Sequence, residues 1–301
     1  MSFFTVTVFR SGFILLLLSV MMGLSAQAQD LLDELEKSEK KEKEFTIATF
    51  KGTRIINGHS VETKGAGELE FIISHRFGAI NSGAYNLFGL DQAYIRIGLE
   101  YGLTSRLGIG VGRNSYNKIF DGYLKFKILK QGKGTGTSPI TVTAFASTGI
   151  QAYPQKKYDS TLNFLDRATY TYQLLIARKF SSKFSMQVSP TIVHSNRVDQ
   201  TIMNNDQIAI GIGGRYKLTR SLAINAEYFH RLDPNPSTPY FNSLGIGLDI
   251  ETGGHVFQLV FSNSQGMVER TFINETADNF FKGGIHFGFN VTRAFQPKKT
   301  K

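Results

Sequence analysis

The sequence predicts an all-β protein: an antiparallel, up-and-down transmembrane β-barrel of about 12 strands with a short N-terminal periplasmic segment. Three observations predict this fold. The chain begins with an export signal, stretches of alternating apolar and polar residues follow one another from Glu68 onward, and the connections between them are alternately short and long. A mean hydropathy slightly below zero fits strands that are apolar on one face only.

The first 28 residues have the pattern of a secretory signal peptide. Arg10 supplies the positive charge, residues 13–24 form an apolar run, and Ala26-Gln27-Ala28 is a small-x-small cleavage pattern, so we expect cleavage near Ala28-Gln29. The apolar run is shorter than the roughly 20 residues that a spanning helix needs. No later segment resembles a spanning helix, so a membrane location requires a barrel.

The composition narrows the classes of function. The chain has no cysteine, which excludes disulfides, thiolate metal sites, cysteine nucleophiles and the acylated cysteine of a lipoprotein. Its formal net charge is +10, yet the leading segment 29–44 is rich in acidic residues. We predict a charged periplasmic leader with a short hairpin at 29–66, an outer-membrane barrel at 67–296 and a basic tail at 297–301.

The alternating stretches predict twelve strands. In the first, Leu69, Phe71 and Ile73 share one face, while Glu70 and Arg76 lie on the other. An even number of strands places both termini of a membrane barrel on the same side. The predicted strands are 68–77, 93–101, 107–112, 123–128, 139–149, 169–180, 184–194, 206–217, 222–231, 242–250, 255–263 and 283–295.

The lengths of the connections follow the parity of the strands. The connections after strands 2, 6, 8 and 10 are tight, whereas those after strands 1, 5, 7, 9 and 11 are long. The loop after strand 3 is only moderate, and a glycine-rich stretch follows strand 4. Outer-membrane barrels combine tight periplasmic turns with long external loops. A secreted soluble β-protein remains the alternative. Pro190, inside strand 7, predicts a bulge.

The polar faces of the predicted strands carry the ionisable residues, and the apolar faces carry almost none. This arrangement is typical of an apolar belt in lipid around a polar lumen. Each lumenal charge can serve either a structural ion pair or a solute contact. The candidate lumen- or pore-lining residues are Arg76, Arg96, Glu100, Lys125, Lys127, Lys179, Arg215 and Glu227.

A hairpin is predicted ahead of the first strand. Asn57-Gly58, between two short apolar stretches, indicates a type I′ turn. The segment 45–66 can enter the lumen as a plug, hang below the barrel as a periplasmic collar, or simply lead into strand 1. The candidate plug residues are Arg54, Asn57, Gly58 and His59.

Several motifs support a family resemblance. They are the run 50–63 (FKGTRIINGHSVET), His75-Arg76-Phe77-Gly78, Leu87-Phe88-Gly89-Leu90-Asp91, and the terminal run 287–293 (FGFNVTR). Together they resemble an uncharacterised bacterial family of membrane-bound, outer-membrane β-barrel proteins of unknown function, over about residues 45 to 295. The resemblance implies the fold and supplies no chemistry.

The sequence does not support catalysis. The six histidines are scattered, and neither His-x-Ser nor Ser-x-His occurs, although lipid-hydrolysing barrels resemble one another in such a pair. We predict neither a catalytic residue, nor a metal site, nor a cofactor. The glycine runs 108–112 and 211–214 lack the context of a nucleotide loop and fit a crowded lumen wall. The basic residues are spread along the strands, so nucleic acid is not an expected partner.

Two hypotheses about function remain from the sequence. One is a passive or selective pore for small solutes with a preference for anions. The other is a non-conducting structural or interaction barrel, with a barrel enzyme acting on lipid as a distant third. We expect the bacterial outer membrane as the location, with membrane lipid, lipopolysaccharide and, during biogenesis, the barrel-assembly machinery as partners; the solute is unknown.

Overall fold

The computed structural model describes residues 43–152 and 163–296. The predictions made for residues 1–42 and 297–301 lie outside these residues. The chain divides into two units, residues 1–44 with 134–136, and residues 45–133 with 137–301. The second unit contains the barrel, and of the first only residues 43–44 and 134–136 are described.

Twelve antiparallel strands form one closed barrel, so the predicted fold class and strand number are confirmed. Each strand pairs with its neighbours in sequence, and the last pairs with the first. The strands are β1 (Leu69–Ala79), β2 (Ala93–Gly102), β3 (Leu107–Asn114), β4 (Ile119–Leu129), β5 (Thr141–Gln151), β6 (Ala168–Lys179), β7 (Phe184–Ser195), β8 (Asp206–Lys217), β9 (Leu222–Arg231), β10 (Ser243–Thr252), β11 (His255–Ser262) and β12 (His286–Phe295).

The remaining elements are short. Two-residue strands lie at Glu44–Phe45 and Gly132–Lys133. The helical turns are Ile80–Ser82, Ala84–Gly89, Tyr116–Lys118, Leu165–Arg167 and Phe280–Lys282, with a π-helix at Arg270–Asn274. Within the described residues, no helix has the length and apolar composition needed to cross a bilayer.

Side chains alternate between the two faces of each strand, because successive residues of a strand point in opposite directions. In β2, Arg96 and Glu100 are fully buried inside the barrel, whereas Ile97 and Leu99 are 46% and 41% exposed on its outside. The same alternation runs around the barrel, so its outer surface is a belt of large apolar side chains. So large an exposed apolar surface is typical of a membrane-facing wall.

The connections define two ends of the barrel. The short-turn end carries 103–106, 180–183, 218–221 and 253–254, and the long-loop end carries 80–92, 196–205, 232–242 and 263–285. Two connections depart from this pattern, as the sequence indicates: 115–118 is short at the long-loop end, and 130–140 is long at the short-turn end.

The bulge predicted at Pro190 is wrong. Between β6 and β7 the register is the same on both sides of Pro190, and only the pairs opposite Pro190 and Ser189 are missing. On its other side, Pro190 stays in register with Ile210 of β8. Proline lacks an N–H donor, so it interrupts the ladder toward one neighbour without shifting it. Register shifts occur instead at Lys127/Leu129 and His286/Gly288.

Inward-facing glycines make room for large side chains in the lumen. A Cβ atom at Gly110 would collide with the ring of Tyr123, and one at Gly211 would lie 2.5 Å from the ring of Phe229. Gly108, two residues earlier in β3, has room, because its nearest neighbour would be 3.6 Å away. These glycines therefore act through packing inside the barrel.

We expect Gly110→Ala to destabilise the barrel by about 1–3 kcal/mol, because the added methyl group displaces the buried Tyr123 ring. Gly108→Ala is the matched control on the same face of the same strand and should be nearly neutral. Urea unfolding of the refolded protein in vesicles measures both changes. Equal unfolding midpoints for the two variants would contradict this account of the glycine run.

Candidate functional site: the filled barrel lumen

The candidate lumen residues differ in burial. Six are buried in the barrel, whereas Lys179 and Arg215 are partly exposed. Lys179 Nζ donates to the carbonyl oxygens of Ile47 and Ala48 at 2.9 and 3.2 Å. Arg215 pairs with Glu251 at 2.6 Å. The six buried residues are Arg76, Arg96, Glu100, Lys125, Lys127 and Glu227.

The predicted hairpin is present, with an antiparallel bridge between Arg54 and His59. Its turn is not type I′, because neither Asn57 nor Gly58 has a positive φ. That prediction is wrong for a physical reason. The Arg54–His59 bridge and the hydrogen bond from Ile55 N–H to the Gly58 carbonyl (2.9 Å) centre the turn on Ile56-Asn57 instead of Asn57-Gly58. The N–H groups of Asn57 and Gly58 turn toward a carboxylate of the wall.

Glu227 of β9 is this carboxylate. Its two oxygens accept from the N–H groups of Ile56 at 3.3 Å, Asn57 at 3.1 Å and Gly58 at 2.9 Å. Successive N–H groups that converge on one anion form a concave binding site for negative charge. Glu227 thereby fixes the hairpin tip against one side of the barrel.

Other contacts attach the hairpin to strands on both sides of β9. The strands that bond it are far apart around the closed barrel, so the hairpin must lie across the lumen. Wall side chains make the contacts: Arg76 of β1 donates to Asn57 Oδ1 (2.9 Å), Thr143 of β5 to the Val61 carbonyl (2.9 Å), Gln187 of β7 to the His59 carbonyl (2.8 Å), Gln258 of β11 to the Ile55 carbonyl (2.8 Å) and Asn290 of β12 to the Ile56 carbonyl (3.0 Å).

Apolar side chains of the same segment pack against the wall. A Cβ atom at Gly213 would lie 2.5 Å from Ile55, and one at Gly245 would lie 3.1 Å from Ile56. These wall glycines therefore provide the space that the two isoleucines occupy. The remaining contacts form one buried cluster: Phe50, Ile55, Ile56, Val61, Tyr123, Phe145, Leu175, Ala177 and Val260.

A second segment fills the lumen from the long-loop end. Residues 263–276, which we call the inserted loop, are almost all buried and include the π-helix. Phe272 is fully buried with its ring edge-to-face on Phe229, the centroids 5.1 Å apart. Arg270 pairs with Glu275 at 2.7 Å and donates to Thr169 of β6 at 3.3 Å. The sequence shows this connection to be long but does not show that it turns inward.

The hairpin and the inserted loop meet inside the barrel. His59 Nε2 lies 3.4 Å from Glu269 Oε1, and the imidazole packs between the rings of Tyr123 and Phe145 at 4.5 and 4.4 Å. Burial, and then the positive charge of Arg54, lowers the pKa of His59 well below its ordinary value. Burial likewise raises the pKa of the Glu269 carboxyl. The histidine is therefore held neutral at this junction.

The wall charges are compensated partly by each other and partly by residues that the candidate set lacks. Arg96 forms a two-point ion pair with Asp121, with Nε to Oδ1 at 3.0 Å. Lys125 Nζ lies 3.7 Å from Glu100 and donates to the Thr53 carbonyl at 2.8 Å. The carboxylates absent from the candidate set include Glu62, Glu70, Asp121, Asp249, Glu251 and, from the inserted loop, Glu269.

Space remains at the short-turn end. One cavity of ≈ 470 Å³ is lined by charged residues that include Lys51, Lys64, Glu70 and Glu251, and a second, of ≈ 210 Å³, lies near Glu62. Among the described residues, no group of three or more histidine, aspartate and glutamate side chains is arranged to hold a metal ion.

Comparison with known proteins gives a family and distant structural likenesses. The family model described as "Membrane bound beta barrel domain (DUF5777)" matches residues 50–295. No curated protein matches the chain significantly in sequence.

Among solved structures, the NanC porin and the KdgM porin each share 8% identity with the chain, cover 76% of it and 99% of their own length, and give TM-scores of 0.45. An outer membrane channel from Pseudomonas putida F1 shares 12% identity, covers 78% and 97%, and gives 0.41. Structural similarity at these TM-scores does not indicate a shared function.

We expect Asp121→Asn to destabilise the barrel by about 3–5 kcal/mol, because it leaves the buried Arg96 guanidinium without its counter-charge. The double variant Arg96→Met with Asp121→Leu removes both charges and should be clearly milder. Urea unfolding in vesicles compares the two. A single variant no worse than the double would show that the pair carries no such penalty.

Proposed function

Since the chain belongs to the family of membrane-bound β-barrel domains, we propose that it is a channel of the bacterial outer membrane that its own hairpin and inserted loop close. The observation that carries this proposal is how the hairpin is attached. Among residues 43–152 and 163–296, the twelve strands pair only with one another, and the hairpin is bonded to wall side chains rather than to wall backbone. The hairpin can therefore leave without breaking a single hydrogen bond of the barrel ladder.

The wall residues that would line the lumen after the hairpin leaves favour a water-filled passage. Without the hairpin, Glu227 and Lys125 lose backbone partners and face the lumen with their charges. Such groups are stable in water and costly in a dry interior. A barrel of twelve strands is intermediate between the eight-stranded type, which side chains fill, and the sixteen-stranded porins. The polar lining therefore favours a channel over a barrel that stays permanently filled.

The filled lumen favours a second candidate function, a non-conducting structural barrel. Two buried clusters join the wall to the hairpin and to the inserted loop. A plug packed as tightly as a protein core can be permanent. The two functions differ in one measurable respect, which is whether the inserted segments ever leave.

Anion preference is a further part of the proposal. The basic candidates Arg76, Arg96, Lys125 and Lys127 favour anions in an open lumen. The paired carboxylates Glu100 and Asp121 reduce this excess, so we expect the selectivity to be weak. Lys125 and Lys127 are the first residues to neutralise, because Asp121 compensates Arg96 directly.

Conductance of the mature protein in planar bilayers tests the channel. We expect the intact protein to open rarely, removal of residues 45–66 or replacement of residues 265–276 by a short Gly-Ser linker to raise the current, and removal of both to give stable openings. Under a salt gradient, the reversal potential of the doubly shortened protein should lie slightly to the anion side. A doubly shortened barrel that is folded and inserted but silent would contradict the proposal.

A disulfide lock tests movement of the hairpin. A Cβ atom at position 245 would lie 3.7 Å from the Cβ of Ile56, within the range that a disulfide requires. The chain has no other cysteine. In the Ile56→Cys, Gly245→Cys variant we expect oxidation to reduce the rate of openings at least about tenfold, equivalent to ~1.4 kcal/mol, and reduction to restore it.

Ile56→Cys and Gly245→Cys alone are the controls, and neither should respond to oxidant. Openings that continue unchanged in the locked protein would show that the hairpin is no gate. Complete silence of both the locked and the reduced protein would instead favour the permanently filled barrel.

A further inference from the structure

The outer wall of the barrel carries an apolar groove separate from the lumen. It crosses the outward faces of β4 to β8 and has a volume of ≈ 630 Å³, within the usual range of small-molecule sites. The side chains that form it on the outward face are Leu124, Ala144, Ala146, Tyr172, Leu174, Pro190, Ile192, Ile208 and Ile210.

The groove exists because its floor is made of small residues. Ala144 and Ala146 are the outward residues at the middle of β5. In the barrel register, Ala146 lies between Leu124 of β4 and Tyr172 of β6. Many other outward positions of the belt hold large side chains, such as Ile97 and Val111. The large flanking residues therefore form two walls around an alanine floor.

Pro190 extends the groove across β7. The ladder between β6 and β7 lacks the pair Leu174–Pro190, although both strands are fully described. Pro190 is in register with Ile210 on its other side. The groove thus crosses the place in the β6–β7 ladder where residue pairs are missing.

The outer face next to the groove changes from apolar to polar toward the long-loop end of the barrel. Tyr172, Ile192 and Ile208 form one apolar row across β6, β7 and β8. The next outward row toward the long-loop end is polar: it consists of Tyr170, His194 and Asp206, with His194 Nδ1 2.7 Å from Asp206 Oδ1. Polar and aromatic residues at the edge of an apolar belt mark the level of lipid headgroups.

We propose that this groove binds one hydrocarbon chain of a membrane lipid, which lies along the alanine floor with its headgroup beside Tyr170 and His194. The groove lies within the apolar belt of a membrane-bound barrel, so lipid is the medium that meets it. Its lining is almost entirely apolar, which matches a saturated chain and leaves no partner for a polar ligand. The occupant is retained by the groove, in contrast to the lipids that exchange around the rest of the belt.

A second copy of the barrel fits the same surface less well. Stable protein interfaces bury about 800 Å² per partner and match in shape across that area. The outer wall of a closed barrel is convex, and the alanine floor is only one strand wide, between Leu124 of β4 and Tyr172 of β6. A thin flexible chain fills such a depression, whereas another convex wall bridges over it.

Native mass spectrometry of the full-length protein, extracted from its own membrane in mild detergent, tests the proposal. We expect the unaltered protein to retain one phospholipid or lipopolysaccharide molecule. In Ala144→Leu with Ala146→Leu the retained fraction should fall about tenfold, because the new side chains fill the floor. Ala226→Leu is the matched control, since Ala226 faces outward on β9, away from the groove, and it should retain lipid normally.

Photocrosslinking then identifies the occupant. The chain lacks cysteine, so Ala146→Cys can be labelled at a single site with a benzophenone. A lipid adduct supports the proposal, whereas a crosslinked pair of barrels would assign the groove to a second copy and overturn it. Equal lipid retention by the unaltered and the filled proteins, or retention by neither, would also overturn it.

Discussion

The structure depends on one constraint: every charge of the wall must find its partner inside the barrel. The outer face is a belt of apolar side chains, so Arg76, Arg96, Lys125 and Glu227 all point into the same confined space. A buried charge without a partner is strongly destabilising. The wall itself supplies Asp121 to Arg96, but Glu227 and Lys125 take backbone groups of the hairpin. The hairpin thus supplies, inside the closed lumen, the polar partners that water would supply in an open one.

The outer surface of the barrel follows directly from the sequence. In β2 the alternation of Ile95, Ile97 and Leu99 with Arg96 and Glu100 specifies both faces, because a strand has a strict two-residue period. The parity of the connections then orients the strands. These features are local in sequence, so they can be predicted without knowing which residues meet in space.

The contacts inside the lumen, by contrast, join residues that are far apart in the sequence. The hairpin tip and its anchor, Gly58 and Glu227, lie far apart in the chain, and the same holds for His59 and Glu269. Asp121 precedes the predicted start of strand 4 at residue 123, so the sequence pattern does not place its side chain on the inner face next to Arg96. The conformation of the hairpin tip is not local either, because the N–H groups of Asn57 and Gly58 donate to Glu227 of β9.

One sequence signal did point to a filled lumen. The inward positions of a water-filled barrel are polar, yet Phe145, Leu175 and Phe229 occupy inward positions of β5, β6 and β9. Phe145 and Leu175 pack in the cluster of the hairpin, and Phe229 in that of the inserted loop. Apolar residues on the polar face of a membrane strand thus indicate where an inserted segment packs.

The two inserted segments are coupled by shared contacts. Phe229 touches the inserted loop through Phe272, and a Cβ atom at Gly58 of the hairpin would lie 2.9 Å from the same ring. His59 and Glu269 add a second junction. If the hairpin leaves, as the proposed channel requires, the inserted loop loses the packing that the hairpin adds at Phe229 and the His59 imidazole next to Glu269. In that proposal the release of one segment therefore lowers the free-energy cost of releasing the other.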